Sequence, residues 1–160
     1  MDFKTANAVG KVGEAAVHKH LTKKGWLVVD TSSHALFQEL GIDFVIQKGE
    51  KTYTIDVKTD NHAPIHFFLE TVSNASSKRK DGVGGCFQKS KSDFWFYLFL
   101  QTNTLYVFNV KDMQRYVEDN EQFRRVQCGG TQLNGQTIYK SEGVLCPIEG
   151  APIMATIKLK

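Results

Sequence analysis

Between Gly41 and Lys58 the chain alternates apolar and polar positions in two short runs, with a tight turn at Lys48–Lys51 between them. Alternation of period two predicts strands, and Thr52–Thr59 has the β-branched content strands favour. Asp43 opens the first run, and Asp56 and Lys58 lie in the second. Alternation places Asp56 and Lys58 on one face and Ile55 and Val57 on the other. Paired as a hairpin, the two strands bring Asp43 close to Asp56. Upstream, Val9, Val12, Ala16 and Leu21 form an apolar stripe at helical spacing, so 6–24 is predicted as a helix ending at Gly25. Glu14 stands beside that stripe, either as an edge residue or as a carboxylate aimed at something. Trp26–Thr31 is nearly all apolar and predicts a strand covered on both faces. Ser32–Leu40 is a connection with room for a short helical turn.

Downstream, Ile65–Val72 predicts a strand on which Phe68, Glu70 and Val72 share a face. Glu70 belongs either to a solvated sheet face or to the neighbourhood of the acidic cluster. Two aromatic strands, Asp93–Gln101 and Leu105–Val110, precede a helix over Lys111–Asp119 that buries Met113, Tyr116 and Val117. The remainder is less regular, with short strands expected at Thr137–Lys140, Val144–Pro147 and Met154–Leu159. This succession predicts a single α/β domain over 1–160, with a central mixed sheet flanked by helices. Its core spans 6–72, a basic loop 73–91, and a C-terminal elaboration 92–160.

The chain has 160 residues and a formal net charge of +3. That balance alone does not nominate a nucleic-acid partner, but its distribution does more. Lys78, Arg79, Lys80, Lys89 and Lys91 fall in one glycine-containing segment, either a solvated loop or a phosphate-binding patch. Phe87 lies among them, to tether the loop to the core or to stack on a base. Arg124 and Arg125 are a second, smaller basic pair. Three cysteines without a C-x-x-C pair argue against zinc and for reduced thiols in a cytoplasmic setting. No apolar stretch reaches membrane-spanning length and no signal peptide is evident. His18, His20, His34, His62 and His66 make no H-E-x-x-H or HNH-like arrangement, and no phosphate-binding G-x-x-x-x-G-K-[ST] loop exists.

Two carboxylates and a lysine at one sheet end repel or neutralise one another, so the cluster is either a salt-bridged sheet end or a cation site. Two hard oxygen ligands suit Mg²⁺ or Mn²⁺. An acid-x-Lys tripeptide alone is weak, and Asp2-Phe3-Lys4 is another in the same chain. The order helix with Glu14, strand, strand with Asp43, strand with Asp56-Val57-Lys58 is far more specific. It resembles the PD-(D/E)XK nuclease superfamily, which includes restriction endonucleases, junction resolvases and many phage and homing endonucleases. The likeness covers roughly residues 6–72. Ile42 stands where that group usually has proline, and the second acid is Asp where Glu is commoner. The resemblance implies a restriction-endonuclease-like core and an endodeoxyribonuclease that leaves 5′-phosphates. It implies that Asp43, Asp56 and the Val57 carbonyl bind Mg²⁺ (or Mn²⁺), and that Glu14 binds a metal or its water. Lys58 would orient or help deprotonate the attacking water and offset charge on the phosphorane. DNA is the implied partner, duplex cutting would call for a homodimer, and the location would be cytoplasmic, in a host cell if phage-encoded. The alternative is a nuclease-like DNA-binding module without activity.

Overall fold

The computed structural model describes residues 3–73, 83–131 and 137–160. The predicted helix and hairpin both form. Helix α1 (Phe3–Lys23) is followed by strand β1 (Leu27–Asp30), the short helix α2 (Ala35–Leu40), and strands β2 (Phe44–Lys48) and β3 (Lys51–Asp60). The β2–β3 turn uses Gly49 at φ 61°, a left-handed conformation that costs glycine little. Next come β4 (His66–Ser73), β5 (Val83–Gly84), α3 (Cys86–Lys89), β6 (Phe94–Phe99) and β7 (Thr104–Asn109). Helix α4 (Val110–Glu118), β8 (Arg125–Thr131), β9 (Thr137–Pro147) and β10 (Ala155–Lys158) complete the described chain. Asn109 caps α4, its side chain accepting from the Asp112 N–H at 3.1 Å.

The main sheet has the order β1-β2-β3-β6-β7-β10 and is mixed. β3 runs antiparallel to β2 and parallel to β6, which places Asp56 opposite Trp95 and Lys58 opposite Tyr97. A second sheet, β5-β4-β9-β8, packs against it. The two faces of the main sheet bury different clusters. On one, Val17 and Leu21 of α1 meet Phe44, Ile46, Ile55, Val57 and Leu98. On the other, Phe67 and Leu69 of the second sheet meet Trp95, Tyr97, Phe99, Phe108 and Met113. The Asp56–Lys58 face is the second of these, so both charges enter a layer made mostly of aromatic rings.

Four expectations are corrected. β1 is an edge strand with only β2 beside it, and Leu27 and Val29 are 61% and 50% exposed; an apolar run reads as doubly covered, but no described element covers its outer face. Val12, assigned to the buried stripe, is 56% exposed. Leu21 is buried as expected, but Gly13 and Val17 take the place of Val12, because α1 meets β3 so closely that only glycine fits at 13. A Cβ on Gly13 would fall 1.7 Å from Thr59 Oγ1. Thr137–Pro147 is one strand where two short ones were expected, and β8 runs through Gly129 and Gly130, which looked like loop residues. Antiparallel pairing with β9 supplies what local propensity withholds.

Candidate active site

The site forms where β2 begins and β3 continues past it. β2 pairs with β3 only from Phe44 opposite Ile55 onward, so Val57 has no β2 neighbour. Asp43 fills that gap. Its N–H donates to the Ile55 carbonyl at 2.8 Å, and its Oδ2 accepts from the Val57 N–H at 2.8 Å. Its own carbonyl accepts from Thr31 N–H at 2.8 Å and from Thr31 Oγ1 at 3.1 Å. The Asp43 backbone is therefore fixed from both sides, and its carboxylate by the Val57 N–H. Within a strand, a residue's N–H and C=O point to the same edge. The Val57 carbonyl consequently faces the gap that Asp43 occupies.

Asp56 lies on the adjoining face and is 1% exposed. Its Oδ1 accepts from Lys58 Nζ at 2.6 Å, while its Oδ2 has no hydrogen-bond partner. Burial pushes its pKa up to about 7; Lys58 opposes the rise and the Asp43 carboxylate adds to it. Gly41, which ends α2 at φ 65°, keeps that side open, since a Cβ there would come within 3.4 Å of Asp56 Oδ2. Burial works against the charge on Lys58, but Asp56 and then the neighbouring acids outweigh it and hold the ammonium protonated well above the ordinary lysine range. Lys58 Nζ also stands 5.2 Å from the centre of the Trp95 ring, a cation–π contact that fixes its direction. The proton of the pair thus rests on lysine.

Glu14 approaches from α1. Its carboxyl is raised by partial burial, then by the fields of Asp43 and Asp30. It lines a shallow depression with Lys11, His18, Asp30 and Ser32. Glu70 is on β4 of the second sheet, accepts from the Cys86 N–H at 3.3 Å and from Ser73 Oγ, and shares a cleft wall with Lys58. Its neighbour Cys86 has its thiol pushed up to about 11 by burial despite Lys58 nearby. Among the described residues no three Asp, Glu, His or Cys side chains already converge as a metal cage. What the site offers a cation is two carboxylates, one with an unpartnered buried oxygen, plus the Val57 carbonyl. That is the hard-oxygen chemistry Mg²⁺ and Mn²⁺ prefer, so the residues fit.

Of the basic patch, Lys89 and Lys91 are exposed, and Lys78, Arg79 and Lys80 lie outside the described residues. Phe87 is 3% exposed and packs edge-on to Trp95, so it tethers the segment to the core. Arg124 and Arg125 are both exposed. Residues that the sequence pattern did not single out include Trp95, Tyr97 and Cys86, brought in by cross-sheet packing. Asp60 had a signal: Asp56, Lys58 and Asp60 share one face of β3 at spacing two. Asp60 accepts from Tyr97 OH at 3.3 Å and pairs with His62 Nδ1 at 2.6 Å.

No protein family and no curated protein matches the chain by sequence. By structure, it is similar to the bacterial homing endonuclease I-Ssp6803I, with a TM-score of 0.51 and 18% identity over 66% of this chain and 69% of that one. The chain is thus a single α/β domain with a nuclease-like fold. No helix among the described residues is long and apolar enough to cross a membrane.

Proposed function

We propose that the chain is a divalent-metal-dependent endodeoxyribonuclease of the PD-(D/E)XK type, acting on DNA. The observation that carries this reading is the buried, unpartnered Oδ2 of Asp56 beside the Asp43 carboxylate, with Lys58 locked onto Oδ1. Two acids held together at a sheet end, one of them nearly excluded from water, are costly, and a bound cation would offset that cost beyond what Lys58 supplies. The resemblance in residue order and the nuclease-like fold support the same conclusion independently.

Asp43, Asp56 and the Val57 carbonyl would hold Mg²⁺ or Mn²⁺, with Glu14 at its outer side. When bound, such an ion withdraws charge from the scissile phosphate and makes water acidic enough to attack it. The chain's own groups do the rest. Asp43 is held by the Val57 N–H, so its position is set by β3 itself. Asp56 aims Lys58 and keeps it charged, which suits it to orient a water and stabilise the charge that grows on phosphate oxygens. A lysine held so firmly protonated is a poor base, so its role is electrostatic. Lys89 and Lys91, with Lys78, Arg79 and Lys80, would add backbone contacts that are independent of base sequence. Duplex cleavage would take two copies of the chain, one per strand.

The test is cleavage of linear duplex, single-stranded and four-way-junction DNA with Mg²⁺, Mn²⁺ or EDTA. Cutting is expected with metal only, and is expected to vanish in Lys58→Ala and Asp56→Ala. DNA binding without cutting in wild type, under every metal tried, would instead make the chain a non-catalytic DNA-binding module.

A further inference from the structure

A cleft of about 690 Å³ opens beside the end of β3, on the face of the second sheet that carries Phe68 and Glu70, and Lys58 forms part of its wall. That size lies within the range of pockets that take small organic groups. Its surface is mainly apolar and aromatic, with Ile65, Phe68, Tyr97, Val126 and Leu145 contributing. Its charged groups are Lys58 and the carboxylates of Asp60 and Glu70, with His62 paired to Asp60 and His66 also on the wall. Apart from Lys58, such a wall offers a phosphodiester backbone few groups to hold it. A neutral, flat group carrying N–H donors fits it better: its faces suit Phe68 and Tyr97, and its donors suit carboxylate, Asn61 and backbone oxygens. A nucleobase has those properties, and the cleft starts at the lysine that would meet the scissile phosphate.

We infer that this cleft receives one unpaired base next to the phosphate under attack, so that the protein acts on DNA with unstacked nucleotides in preference to perfect duplex. The inference rests on the nuclease reading and specifies its substrate class. A paired base cannot reach a pocket without leaving its stack, and extruding it costs least where pairing is already lost. Stacking of a base on an aromatic side chain is strong enough to make the difference measurable.

The experiment uses the whole chain in EDTA, so that cleavage plays no part. Two duplexes are titrated, one with 2-aminopurine fully paired and one with it as a single unpaired nucleotide, following anisotropy and 2-aminopurine emission. The unpaired form is expected to bind about tenfold tighter, within a range of about five- to a hundredfold, with a change in emission as the base moves to its new surroundings. Cys128→Trp and Val126→Phe each add bulk to the cleft from β8. Both are expected to reduce the preference to less than about twofold while leaving affinity for the paired duplex in place. Cys128 is exposed on its strand, so that variant keeps the test usable if the Val126 variant folds poorly. Equal binding of the two duplexes by wild type, or full preference retained by both variants, would overturn the cleft's assignment alone. Failure to bind either duplex, in EDTA and again with Mg²⁺ or Mn²⁺ present, would overturn the nuclease reading and the cleft's role with it.

Discussion

Replacing Asp56 by asparagine keeps the shape of the side chain and removes the acid whose ionisation the fold opposes. In the unfolded chain the carboxyl titrates near 3.8, and in the folded one near 7. Below about pH 4 both states hold the proton and the difference has no effect. As pH rises from about 4 to about 7, the unfolded chain releases its proton while the folded chain retains it. Stability of the metal-free protein therefore falls through this window and levels off above it. A displacement of about 3 pH units at 1.36 kcal/mol per unit is about 4 kcal/mol. Lys58 draws on the same interaction, so about half of that is a reasonable lower bound. The Asp56→Asn variant would have no proton to lose at this position. The stability gap between the two proteins should therefore move in the variant's favour by about 2–4 kcal/mol between about pH 4.5 and about pH 8. For a chain of this size that is a relative shift of roughly 4–16 °C in melting temperature. Thermal melts at three pH values, in EDTA, read it directly. Repeating them with Mg²⁺ or Mn²⁺ adds the second half: wild type should gain about 2.7 kcal/mol at a hundred times the dissociation constant, and the variant little. A gap that does not change with pH would show Asp56 to be an ordinary ionised carboxylate. Equal metal stabilisation in both proteins would place the ion elsewhere.

In Gly13→Ala, overpacking against Thr59 should cost roughly 1–3 kcal/mol against the ~1 kcal/mol that alanine gains in a helix, a net destabilisation of up to about 2 kcal/mol that chemical denaturation measures. Phe67 is fully buried and its ring packs among Tyr97, Phe99, Tyr106 and Phe108, so Phe67→Ala should cost about 3–5 kcal/mol in the same assay. A Lys89→Ala/Lys91→Ala double variant should weaken DNA binding at every sequence and flatten the dependence of log affinity on log salt by up to about 2, since each lost phosphate contact removes about 0.9. An unchanged salt slope would mark both lysines as solvated bystanders.

The hairpin and its charges were legible because period-two alternation is local: Asp43, Asp56 and Lys58 needed only a tight turn and strand geometry to be placed together. Glu14 was legible as a residue beside a buried stripe, but the stripe itself was drawn one position off. Hydrophobicity selected Val12, whereas the real contact turns on Gly13 having no side chain, a property no hydropathy pattern records. β1 failed for a related reason. Its residues describe an apolar strand correctly, yet whether a second layer covers them depends on elements far away in the chain. The second sheet was hidden most deeply. β4 pairs with β9, a strand from the far end of the chain, and Gly129 and Gly130 become strand only because β9 lies beside them.

That hidden sheet changes the meaning of the legible motif. With the main sheet alone, Asp56 and Lys58 would face water, their pairing would be screened, and a salt bridge would explain them adequately. Packing Phe67, Leu69 and Phe87 over that face puts Trp95 under Lys58 and leaves Asp56 1% exposed. Burial is what raises the acid's pKa and leaves one carboxylate oxygen without a partner, while the ion pair keeps the proton on lysine. The same second layer stops short of Lys58 and leaves a cleft beside it. The motif supplies the groups in the right order along the chain, and the remote strands supply the low-dielectric wall that gives those groups something to gain from a cation.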